Sequence, residues 1–506
     1  MNCSVESATN TEDAEVASAE KVLSDYDLVV IGGGSAGLVV AGGAAQIGAR
    51  VALVEKQALG GDCLYTGCVP SKTFIRSARF VADVRRAKDF GFAPTNLEFK
   101  DGQFASITDR VARVISAVAE HDKPERFEAW GVEVIFAKPS FLSQDELELT
   151  SHDGAKKTIR AKRFCISTGS RPAVPPIEGL KETGFITNEE VFRLKRLPKT
   201  LIVLGGGPTG LELGQSFARF GSEVTVVEME KRLLPKEDEE VSVIVGQILR
   251  AEGLNILLNH KSVCAATENG QKVLTVEHVG KQTELQAEEI LMATGRRPNI
   301  EGLNLEAAGV KYDKQRIITD EYLRTSARHI FAAGDVTGHF PFTHMAAYEA
   351  SVVIRNALFF WPLLQKTDFR VVPWTTFIDP EVARVGLTEN EAIAKFGATN
   401  VHIYRTRFSD NDRAQAEEET KGFAKIICSG QKNEIVGAQI VGARAGELIH
   451  EVVLAMKKRL SITALGTMIH VYPTLTQVNQ QAGVDAILKN LSTYKTWLSY
   501  YFRIWR

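Results

Sequence analysis

The chain has 506 residues, of which 44% are hydrophobic and 24% are charged, and its formal net charge is −2. This length predicts about three domains, and the composition is that of an ordinary globular protein. The near-neutral charge argues against a nucleic-acid-binding surface, and no apolar run reaches the ~18 residues of a membrane-spanning helix.

The N-terminus and most of the cysteines carry little functional signal. Residues 1–24 lack the basic and apolar regions of a signal peptide, and their Ser, Ala, Thr and Glu content predicts a disordered, acidic leader. Four of the six cysteines are scattered without metal-ligand spacing: Cys3, Cys165, Cys264 and Cys428. This usage predicts a reducing compartment, the cytoplasm, and one functional cysteine pair.

Residues 27–55 carry a dinucleotide-binding fingerprint. The apolar run DLVVI leads into the pattern G-x-G-x-x-G at Gly32, Gly34 and Gly37, and a predicted helix and second strand follow, ending in Glu55. In such a unit the first glycine makes a tight turn, the second lets the backbone approach a pyrophosphate, and the third lets the helix pack closely. The pyrophosphate would lie at the helix N-terminus, and Glu55 would accept a hydrogen bond from the adenosine ribose.

The stretch 60–72, GGDCLYTGCVPSK, places Cys63 and Cys68 next to a predicted helix start. A disulfide closing so short a loop stabilises a fold only slightly, whereas a helix N-terminus favours the thiolate needed for redox exchange. From the spacing alone, two reduced buried cysteines or half of a zinc site remain alternatives to a redox pair.

A second unit repeats the first about 173 residues later. The strand 201–204 leads into Gly205, Gly207 and Gly210, and a predicted helix and strand end in Glu228. Two such units imply two nucleotides. The repeat is strengthened by two similar strand-to-turn segments, FCISTGSRP at 164–172 and ILMATGRRPN at 290–299.

The remaining chain reads as alternating helices and strands. Residues 77–130 have helical periodicity, which is typical of core packing rather than of a site. The pattern also predicts strands at 132–136, 146–150, 423–428 and 435–441, and helices at 344–359 and 446–457. A change of pattern near 370–373 predicts a domain boundary.

In this order the motifs resemble the flavoprotein disulfide reductases, also called pyridine nucleotide-disulfide oxidoreductases, and in particular their mercuric reductase-like members. They stand here, between about 26 and 485, as GGGSAG, GGDCLYTGCVPSK, GGGPTGLELG, ATGRRPN, AAGDVTG and FIDPEVARVGLTE. The resemblance implies an α/β fold with two Rossmann-like dinucleotide-binding domains and a C-terminal α+β dimerisation domain. The implied ranges are 25–172 and 300–370 for FAD, 173–299 for NAD(P), 371–490 for the interface of a homodimer, and 491–506 for a tail.

The resemblance also implies which residues hold the cofactors, FAD and NADH or NADPH. They are Gly32, Gly34, Gly37, Glu55, Lys56, Gly61, Thr168, Gly169, Gly205, Gly207, Gly210, Glu228, Gly295, Gly334 and Asp335. Asp335 would hydrogen-bond the ribityl chain. Because a carboxylate at Glu228 accepts from a ribose 2′-OH and repels a 2′-phosphate, NADH is preferred, although Lys231 and Arg232 lie close enough in sequence to bind a phosphate.

For the chemistry, the resemblance implies that Cys68 faces the flavin as the charge-transfer thiolate and that Cys63 is the interchange thiol. Lys72 resembles the family lysine near flavin N5, paired with a glutamate that is Glu212 here. A cation at that position stabilises the anionic reduced flavin. The alternative for Glu212 is a solvated helix residue.

The C-terminal part departs from the family. Members that act on thiols carry a His-Pro-Thr sequence and a nearby Glu, whereas this chain has Tyr472 and Gln477 at those places. A tyrosine of ordinary pKa is a poor base at neutral pH. His470 is a candidate substitute, but it is displaced by two residues and in an extended segment would share the face of Tyr472 only at a different depth. The alternative is a packed or solvated histidine.

This departure predicts a soft metal ion such as Hg²⁺, or another soft electrophile, as electron acceptor, because a metal ion needs thiolate ligands rather than a proton shuttle. Cys63 and Cys68 would be transient ligands, and no resident metal is expected. Mercuric reductases carry a cysteine pair near the C-terminus, yet this chain has no cysteine after Cys428. The alternatives are a dihydrolipoamide dehydrogenase-like enzyme and a flavin-bound redox sensor without rapid turnover.

The tail ends in YKTWLSYYFRIWR, a mixture of aromatic and basic residues. Such a mixture suits a membrane surface or a subunit contact. We expect a helix packed on the interface domain in preference to membrane contact.

Overall fold

The structure is a computed structural model that describes residues 24–94 and 102–505. The predicted leader, apart from Ser24, lies outside the described residues, as do Cys3 and Arg506. In the described chain, three consecutive parts each build around one main sheet. The predicted α/β architecture, with two Rossmann-like units and a C-terminal α+β unit, is confirmed.

The first part builds a parallel sheet whose central strand precedes the first glycine pattern. Its strands are β1 (Leu28–Ile31), β2 (Val51–Glu55), β3 (Val132–Phe136), β4 (Lys138–Phe141), β5 (Glu146–Thr150), β6 (Lys156–Arg160), β7 (Phe164–Ile166) and β8 (Ser170–Pro172). Its helices are α1 (Ser35–Gln46), α2 (Gly61–Tyr65), α3 (Cys68–Arg85), α4 (Gln103–Ala119), α5 (Pro124–Glu128) and α6 (Leu180–Thr183). The predicted bounds of β3 and β5 are confirmed.

The second part repeats this plan and then returns to the first sheet. Its elements are β9 (Thr200–Leu204), α7 (Pro208–Phe220), β10 (Glu223–Glu228), α8 (Glu239–Ala251), β11 (Asn255–Leu258), β12 (Lys261–Glu268), β13 (Gln271–His278), β14 (Lys281–Ala287), β15 (Glu289–Met292), β16 (Arg296–Pro298), β17 (Ile330–Ala332) and α9 (Thr343–Leu358).

Strand order confirms the internal repeat. The parallel sheets have the orders β17-β7-β1-β2-β3 and β15-β9-β10-β11, so that β7, β1, β2 and β3 correspond to β15, β9, β10 and β11. Each unit also inserts a three-stranded antiparallel sheet, β4-β5-β6 or β12-β13-β14, before its last strand. The repeat therefore extends beyond the glycine patterns that predict it.

Burial on both faces explains why β1 and β9 are continuously apolar. In β1, Val29 and Ile31 contribute to one hydrophobic cluster, while Leu28 and Val30 contribute to another. In β9 alternate residues are likewise divided between two clusters. Strands of a parallel sheet covered on both sides need apolar residues at every position, and the glycine turns follow directly at their carboxyl ends.

The third part forms an antiparallel sheet with helices. Its elements are β18 (Pro373–Thr376), β19 (Glu381–Gly386), α10 (Glu389–Phe396), β20 (Val401–Arg407), α11 (Asp412–Ala416), β21 (Phe423–Ser429), β22 (Glu434–Gly442), α12 (Ala445–Lys457), α13 (Thr463–Thr467), α14 (Gln477–Thr493) and α15 (Lys495–Trp505). The sheet order is β18-β19-β22-β21-β20. The domain boundaries drawn from the sequence stay predictions.

A buried ammonium group joins the second part to the third. The Lys425 side chain is only 2% exposed, and its Nζ lies 2.8 Å from Asp238, 2.6 Å from Glu240 and 2.6 Å from Glu389. Asp238 and Glu240 precede and begin α8, whereas Lys425 lies on β21. Because a buried ammonium group is tolerated only when it is paired, this cluster fixes the antiparallel sheet against the second unit.

Candidate functional site

The structure places the two cysteines on consecutive helices. Cys63 lies in α2, Cys68 is the first residue of α3, and both are free thiols. Gly67 separates the helices, and a Cβ atom at this position would lie 2.9 Å from the Asp62 carbonyl oxygen. A glycine is therefore required for the tight connection that brings Cys68 back beside Cys63.

The surroundings of the two thiols shift their pKa values in opposite directions. A hydrogen bond with Cys63 is the main cause that lowers the pKa of Cys68 to about 6, and the Thr343 hydroxyl and the Lys72 charge lower it further. The Cys68 Sγ lies 3.3 Å from the Thr343 Oγ1. The same hydrogen bond and burial raise the pKa of Cys63. At neutral pH, Cys68 is therefore a thiolate next to a protonated Cys63.

Lys72, on α3 one turn after Cys68, contacts Glu212 of α7. The Lys72 Nζ lies 2.9 Å from the Glu212 Oε2, and the other carboxylate oxygen accepts a hydrogen bond of 2.8 Å from the Phe377 backbone N–H. The Nζ also lies 4.3 Å from the centroid of the Phe377 ring. The Glu212 side chain is 8% exposed, so it is not the solvated helix residue considered as an alternative.

Aromatic packing holds α3 against α7 and so fixes the Lys72–Glu212 contact. The Phe74 ring of α3 lies 5.4 Å from the Phe217 ring and 4.9 Å from the Phe220 ring, both on α7, and 6.1 Å from Phe104 on α4. Phe74 and Phe217 are fully buried. Edge-to-face aromatic pairs in a close-packed core resist sliding of the helices.

The first glycine turn leaves space where a pyrophosphate would bind. Gly32 has φ +106°, and a Cβ atom there would lie 2.5 Å from the Ser167 carbonyl oxygen; a Cβ atom on Gly37 would lie 1.8 Å from the Gly32 oxygen. Gly34 differs, because its φ is −87° and its nearest neighbour would be the Gly61 Cα at 3.7 Å. The protein itself therefore does not require a glycine at position 34, but a closely approaching ligand does.

The second turn has the same arrangement. Gly205 has φ +110°, and a Cβ atom on it would lie 2.4 Å from the Ala293 carbonyl oxygen. A Cβ atom on Gly210 would lie 2.0 Å from the Gly205 oxygen. Gly207 has φ −82°, and no atom lies within 4 Å of a Cβ placed on it. Both cradles thus fit a dinucleotide at the N-termini of α1 and α7.

The acidic residues at the ends of β2 and β10 are held in the same way. Glu55 accepts hydrogen bonds from the backbone N–H groups of Gly33, at 2.7 Å, and Gln57, at 2.8 Å. Glu228 accepts from Gly206 at 2.6 Å and from the N–H two residues further on at 2.8 Å. Each carboxylate is therefore fixed beside its glycine turn and keeps lone pairs for a ribose hydroxyl.

Asp335 belongs to a polar chain that the sequence did not reveal. The Ser170 hydroxyl donates to Asp335 at 2.5 Å, the Arg296 Nε donates to the Ser170 Oγ at 2.7 Å, and Arg296 also binds Asp62 at 3.0 Å. Burial raises the pKa of Asp335. Asp62 directly precedes Cys63. These polar contacts therefore link helix α2 to the two strand-to-turn segments that carry Ser170 and Arg296. The one sequence signal that could have pointed to Arg296 was its position in the ATGRRPN segment.

A second residue missed by the sequence analysis is Glu349, which is 1% exposed. Its carboxylate accepts a hydrogen bond of 2.7 Å from the Gly334 backbone N–H and lies 3.1 Å from the His339 Nδ1. Gly334 has φ +79°, and a Cβ there would lie 3.2 Å from the Ala36 side chain at the start of α1. Glu349 thus fixes the loop that carries Asp335 against the first glycine turn.

The other predicted cofactor residues lie around these cradles. Gly61 has φ +63°, and a Cβ on it would lie 2.7 Å from the Gly34 Cα, so the two glycines pack against each other. The Thr168 hydroxyl donates to the Asn299 carbonyl at 2.6 Å, which joins the two strand-to-turn segments. Positive φ angles and open space are found at Gly169 and Gly295, and Lys56 is exposed.

Tyr472 and His470 point in different directions, which corrects the expectation of one shared face. The Tyr472 side chain is exposed and its hydroxyl donates to Asp412 at 3.0 Å, a bond that raises the pKa of Tyr472. His470 is 3% exposed, and its Nε2 lies 2.8 Å from Glu451. The segment is not a regular strand, so alternation of faces does not apply to it. The environment of His470 is that of the packed alternative.

The tail also differs from expectation. We expected a helix packed on the interface domain. The helix is present as α15, but none of its residues is buried. None of the helices in the described ranges is long and apolar enough to cross a membrane.

Two family descriptions match the chain. Residues 26–350 match "Pyridine nucleotide-disulphide oxidoreductase", and residues 372–482 match the dimerisation domain of the same family. Among curated proteins, a mercuric reductase of Staphylococcus aureus is 35% identical over 90% of this chain and 81% of its own length. A dihydrolipoyl dehydrogenase of Bacillus subtilis is 31% identical over 92% of this chain and 98% of its own length.

Among solved structures, this chain is similar to the Cu(II) complex of the HOCl-induced flavoprotein disulfide reductase RclA from Escherichia coli. The TM-score is 0.80 at 28% sequence identity, covering 91% of this chain and 99% of that chain.

Proposed function

The chain belongs to the pyridine nucleotide-disulphide oxidoreductase family, and we propose that it transfers electrons from NADH to a soft metal ion such as Hg²⁺ through the Cys63–Cys68 pair. The family places it among FAD-dependent oxidoreductases that use a pyridine nucleotide. The proposed net reaction is NADH + Hg²⁺ → NAD⁺ + H⁺ + Hg⁰, in which the nicotinamide loses two electrons and the metal gains both.

The residues that would hold the cofactors are those of the two cradles. Gly34 and the N-terminus of α1 would take the FAD pyrophosphate, Glu55 its ribose, and Asp335 its ribityl chain, while Gly207 and Glu228 would take the nicotinamide nucleotide. When bound, FAD would supply the chemistry that accepts a hydride from the nicotinamide and passes its two electrons on to the thiol site. The chain orients Lys72 toward this centre through Glu212, whose second oxygen is fixed by the Phe377 N–H.

The two thiols would have different tasks. Cys68, with a pKa of about 6, is a thiolate without any external base, whereas Cys63 keeps its proton until an electrophile binds. A soft cation is bound by thiolates. Binding Hg²⁺ to both sulfurs forms two S–Hg bonds and releases the Cys63 proton.

The choice of acceptor rests on the contacts of Tyr472 and His470, the two candidates for a catalytic base near the C-terminus. The Tyr472 hydroxyl is bound to Asp412, which raises its pKa, and His470 is bound to Glu451. A thiol substrate requires a proton donor and acceptor of pKa near neutrality, whereas a metal ion does not. This difference favours a metal acceptor. Sequence identity does not separate the two candidates, because the mercuric reductases at 33–35% and a dihydrolipoyl dehydrogenase at 31% are similarly close.

A dihydrolipoyl dehydrogenase-like activity is the second candidate. It is favoured by the match over 98% of the length of the Bacillus subtilis enzyme, since the mercuric reductase of Bacillus cereus is covered over only 70% of its length. A redox sensor without rapid turnover would also tolerate the missing base.

NADH is the preferred nucleotide in this proposal. The Glu228 carboxylate is fixed beside the second glycine turn, where it would repel a 2′-phosphate. The Arg232 guanidinium donates to the Pro235 carbonyl at 2.8 Å, so it is already engaged by the protein. Lys231 is exposed and is the remaining nearby cation that could favour NADPH.

We further propose a cytoplasmic homodimer in which each copy completes the other's site. The chain contains the family's dimerisation domain. The segment around Tyr472 exposes apolar side chains, with Ile469 at 96% and Val471 at 76% exposure. A second copy would cover this surface and bring it toward the partner's cysteine pair.

The test is steady-state NADH oxidation by the purified holoenzyme with Hg²⁺, Cu²⁺, lipoamide, glutathione disulfide and a quinone. We expect turnover with Hg²⁺ and loss of that turnover in Cys63→Ser, with flavin retained. Rapid turnover with lipoamide would favour the second candidate, and absence of turnover with any acceptor would favour the sensor. Unchanged activity of Cys63→Ser would mean that electrons bypass the cysteine pair.

A further inference from the structure

Helix α15, Lys495–Trp505, exposes several large apolar side chains away from the cysteine pair. Trp497 is 65% exposed, Tyr500 67%, Ile504 76% and Trp505 77%, and the helix has no buried residue. Fully exposed large apolar side chains are normal when they are scattered, but a contiguous group marks an interaction surface.

The residues of α15 divide into two faces at the 3.6-residue period of a helix. Four polar residues fall together within about 100° of the helix circumference: Lys495, Thr496, Ser499 and Arg503. All of the apolar and aromatic residues occupy the remaining arc: Trp497, Leu498, Tyr500, Tyr501, Phe502, Ile504 and Trp505. The Trp497 and Tyr501 rings stack at 5.8 Å on this face.

The charged residues along α15 and just before it in sequence have one sign. From residue 486 to the C-terminus the sequence contains no Asp or Glu, whereas it contains Lys489, Lys495, Arg503 and Arg506. A basic polar face opposite an apolar face rich in Trp and Tyr is the composition of helices that lie in the headgroup region of a bilayer. The positive charge complements anionic lipid headgroups.

Two other arrangements fit this helix less well. The match to the dimerisation domain ends at residue 482, so α15 lies beyond the part shared with the family's subunit contact. A spanning helix requires about 20 apolar residues, and α15 has 11 residues with a basic face.

We propose that α15 is an interfacial anchor that attaches the enzyme reversibly to an anionic membrane surface. The arc from Trp497 to Trp505 enters the headgroup region, and Lys495 and Arg503 stay at its aqueous side. One such helix binds weakly, but the two helices of a dimer would bind the same surface together and gain affinity through their linkage. The redox chemistry of the Cys63–Cys68 pair does not enter this inference.

Vesicle flotation of the full chain tests the anchor. The vesicles are phosphatidylcholine alone and phosphatidylcholine mixed with phosphatidylglycerol. We expect the full chain to float with the mixed vesicles and to be released by salt. Deletion of residues 494–506 should abolish flotation, as should the combined changes Trp497→Ser, Tyr501→Ser and Trp505→Ser.

Charge variants separate the two contributions. Lys495→Gln with Arg503→Gln should weaken binding to mixed vesicles on the order of fivefold for each charge removed. The matched polar-face control, Thr496→Ala with Ser499→Ala, should bind normally. NADH oxidation by all of these variants should equal that of the full chain, because no residue of α15 is buried against the enzyme.

Three results would overturn the anchor. They are failure of the full chain to float with mixed vesicles, equal flotation of the tail-deleted chain, and conversion of dimer to monomer on deletion of the tail in sedimentation velocity. The last result would assign the aromatic face to a second copy of the chain.

Discussion

The Thr343 hydroxyl is expected to hold the pKa of Cys68 low. The pKa of Cys68 is about 6, against an ordinary value of 9.0, and Thr343 is one of two hydrogen-bonding partners, with Cys63 the stronger. A hydrogen bond to a charged group contributes about 1.5 kcal/mol at the low end, which suits the exposed Cys68. Because about 1.4 kcal/mol corresponds to one pKa unit, Thr343→Val should raise the pKa of Cys68 by about one unit.

The assay is the rate of alkylation of Cys68 by iodoacetamide as a function of pH. It is made in Cys63→Ser chains, so that one thiol of the pair remains. Alkylation of the other cysteines is subtracted with a chain that carries both Cys63→Ser and Cys68→Ser. The thiolate reacts and the thiol does not, so the rate should fall as pH drops through the pKa of Cys68. In Thr343→Val this fall should occur at higher pH.

Thr343→Ser is the matched control, because it keeps the hydroxyl and removes only a methyl group. Its pH profile should follow that of Thr343 itself. An unchanged profile in Thr343→Val would refute the role of the hydroxyl. An equal displacement in Thr343→Ser would mean that packing at the start of α9, rather than the hydrogen bond, sets the acidity of Cys68.

Three further outcomes are expected. Glu228→Gln should lower kcat/KM for NADH by roughly tenfold, because a hydrogen bond to a charged group is lost, and should reduce the ratio of kcat/KM for NADH to that for NADPH. An increase in this ratio would contradict the assignment of Glu228 to the ribose. Tyr472→His with Gln477→Glu should add lipoamide turnover, about a hundredfold above the parent, with Hg²⁺ reduction unchanged; no gain would mean that a base at this place does not select the acceptor. Lys425→Met should cost about 3–5 kcal/mol by leaving the buried Asp238 carboxylate unpaired, seen as a lower melting temperature; an unchanged temperature would show that the cluster is not stabilising.

Local signals explain why so much of the fold was predictable. The strand, turn and acidic end of each dinucleotide unit are contiguous in sequence, and their glycines have steric reasons that the structure makes explicit at Gly32, Gly37 and Gly205. The three-stranded inserts of the two units carry no comparable signature. Their strands are partly exposed and differ in length between the two units, so the match between β4-β5-β6 and β12-β13-β14 emerges only from strand pairing.

Long-range contacts limited what could be predicted of the site. The contact between Lys72 and Glu212 was expected from motif positions alone, and the structure contains it. Nothing local indicates that Thr343 reaches Cys68 across 275 sequence positions, or that Arg296 joins Asp62 to the Asp335 region. Such partners are single polar residues in ordinary sequence, and only packing identifies them.

The error at positions 470 and 472 has a different physical origin. Period-two reasoning assumes an extended strand paired in a sheet, but this segment has no regular structure, so His470 turns inward to Glu451 while Tyr472 faces outward. An outward-facing segment can act only on something outside its own chain. The contacts of Cys68, Lys72 and Glu212 lie within one chain. In the homodimer that we propose, selection of the acceptor instead depends on a surface that the second copy completes. Substitutions on this surface should therefore change acceptor preference without changing the acidity of Cys68.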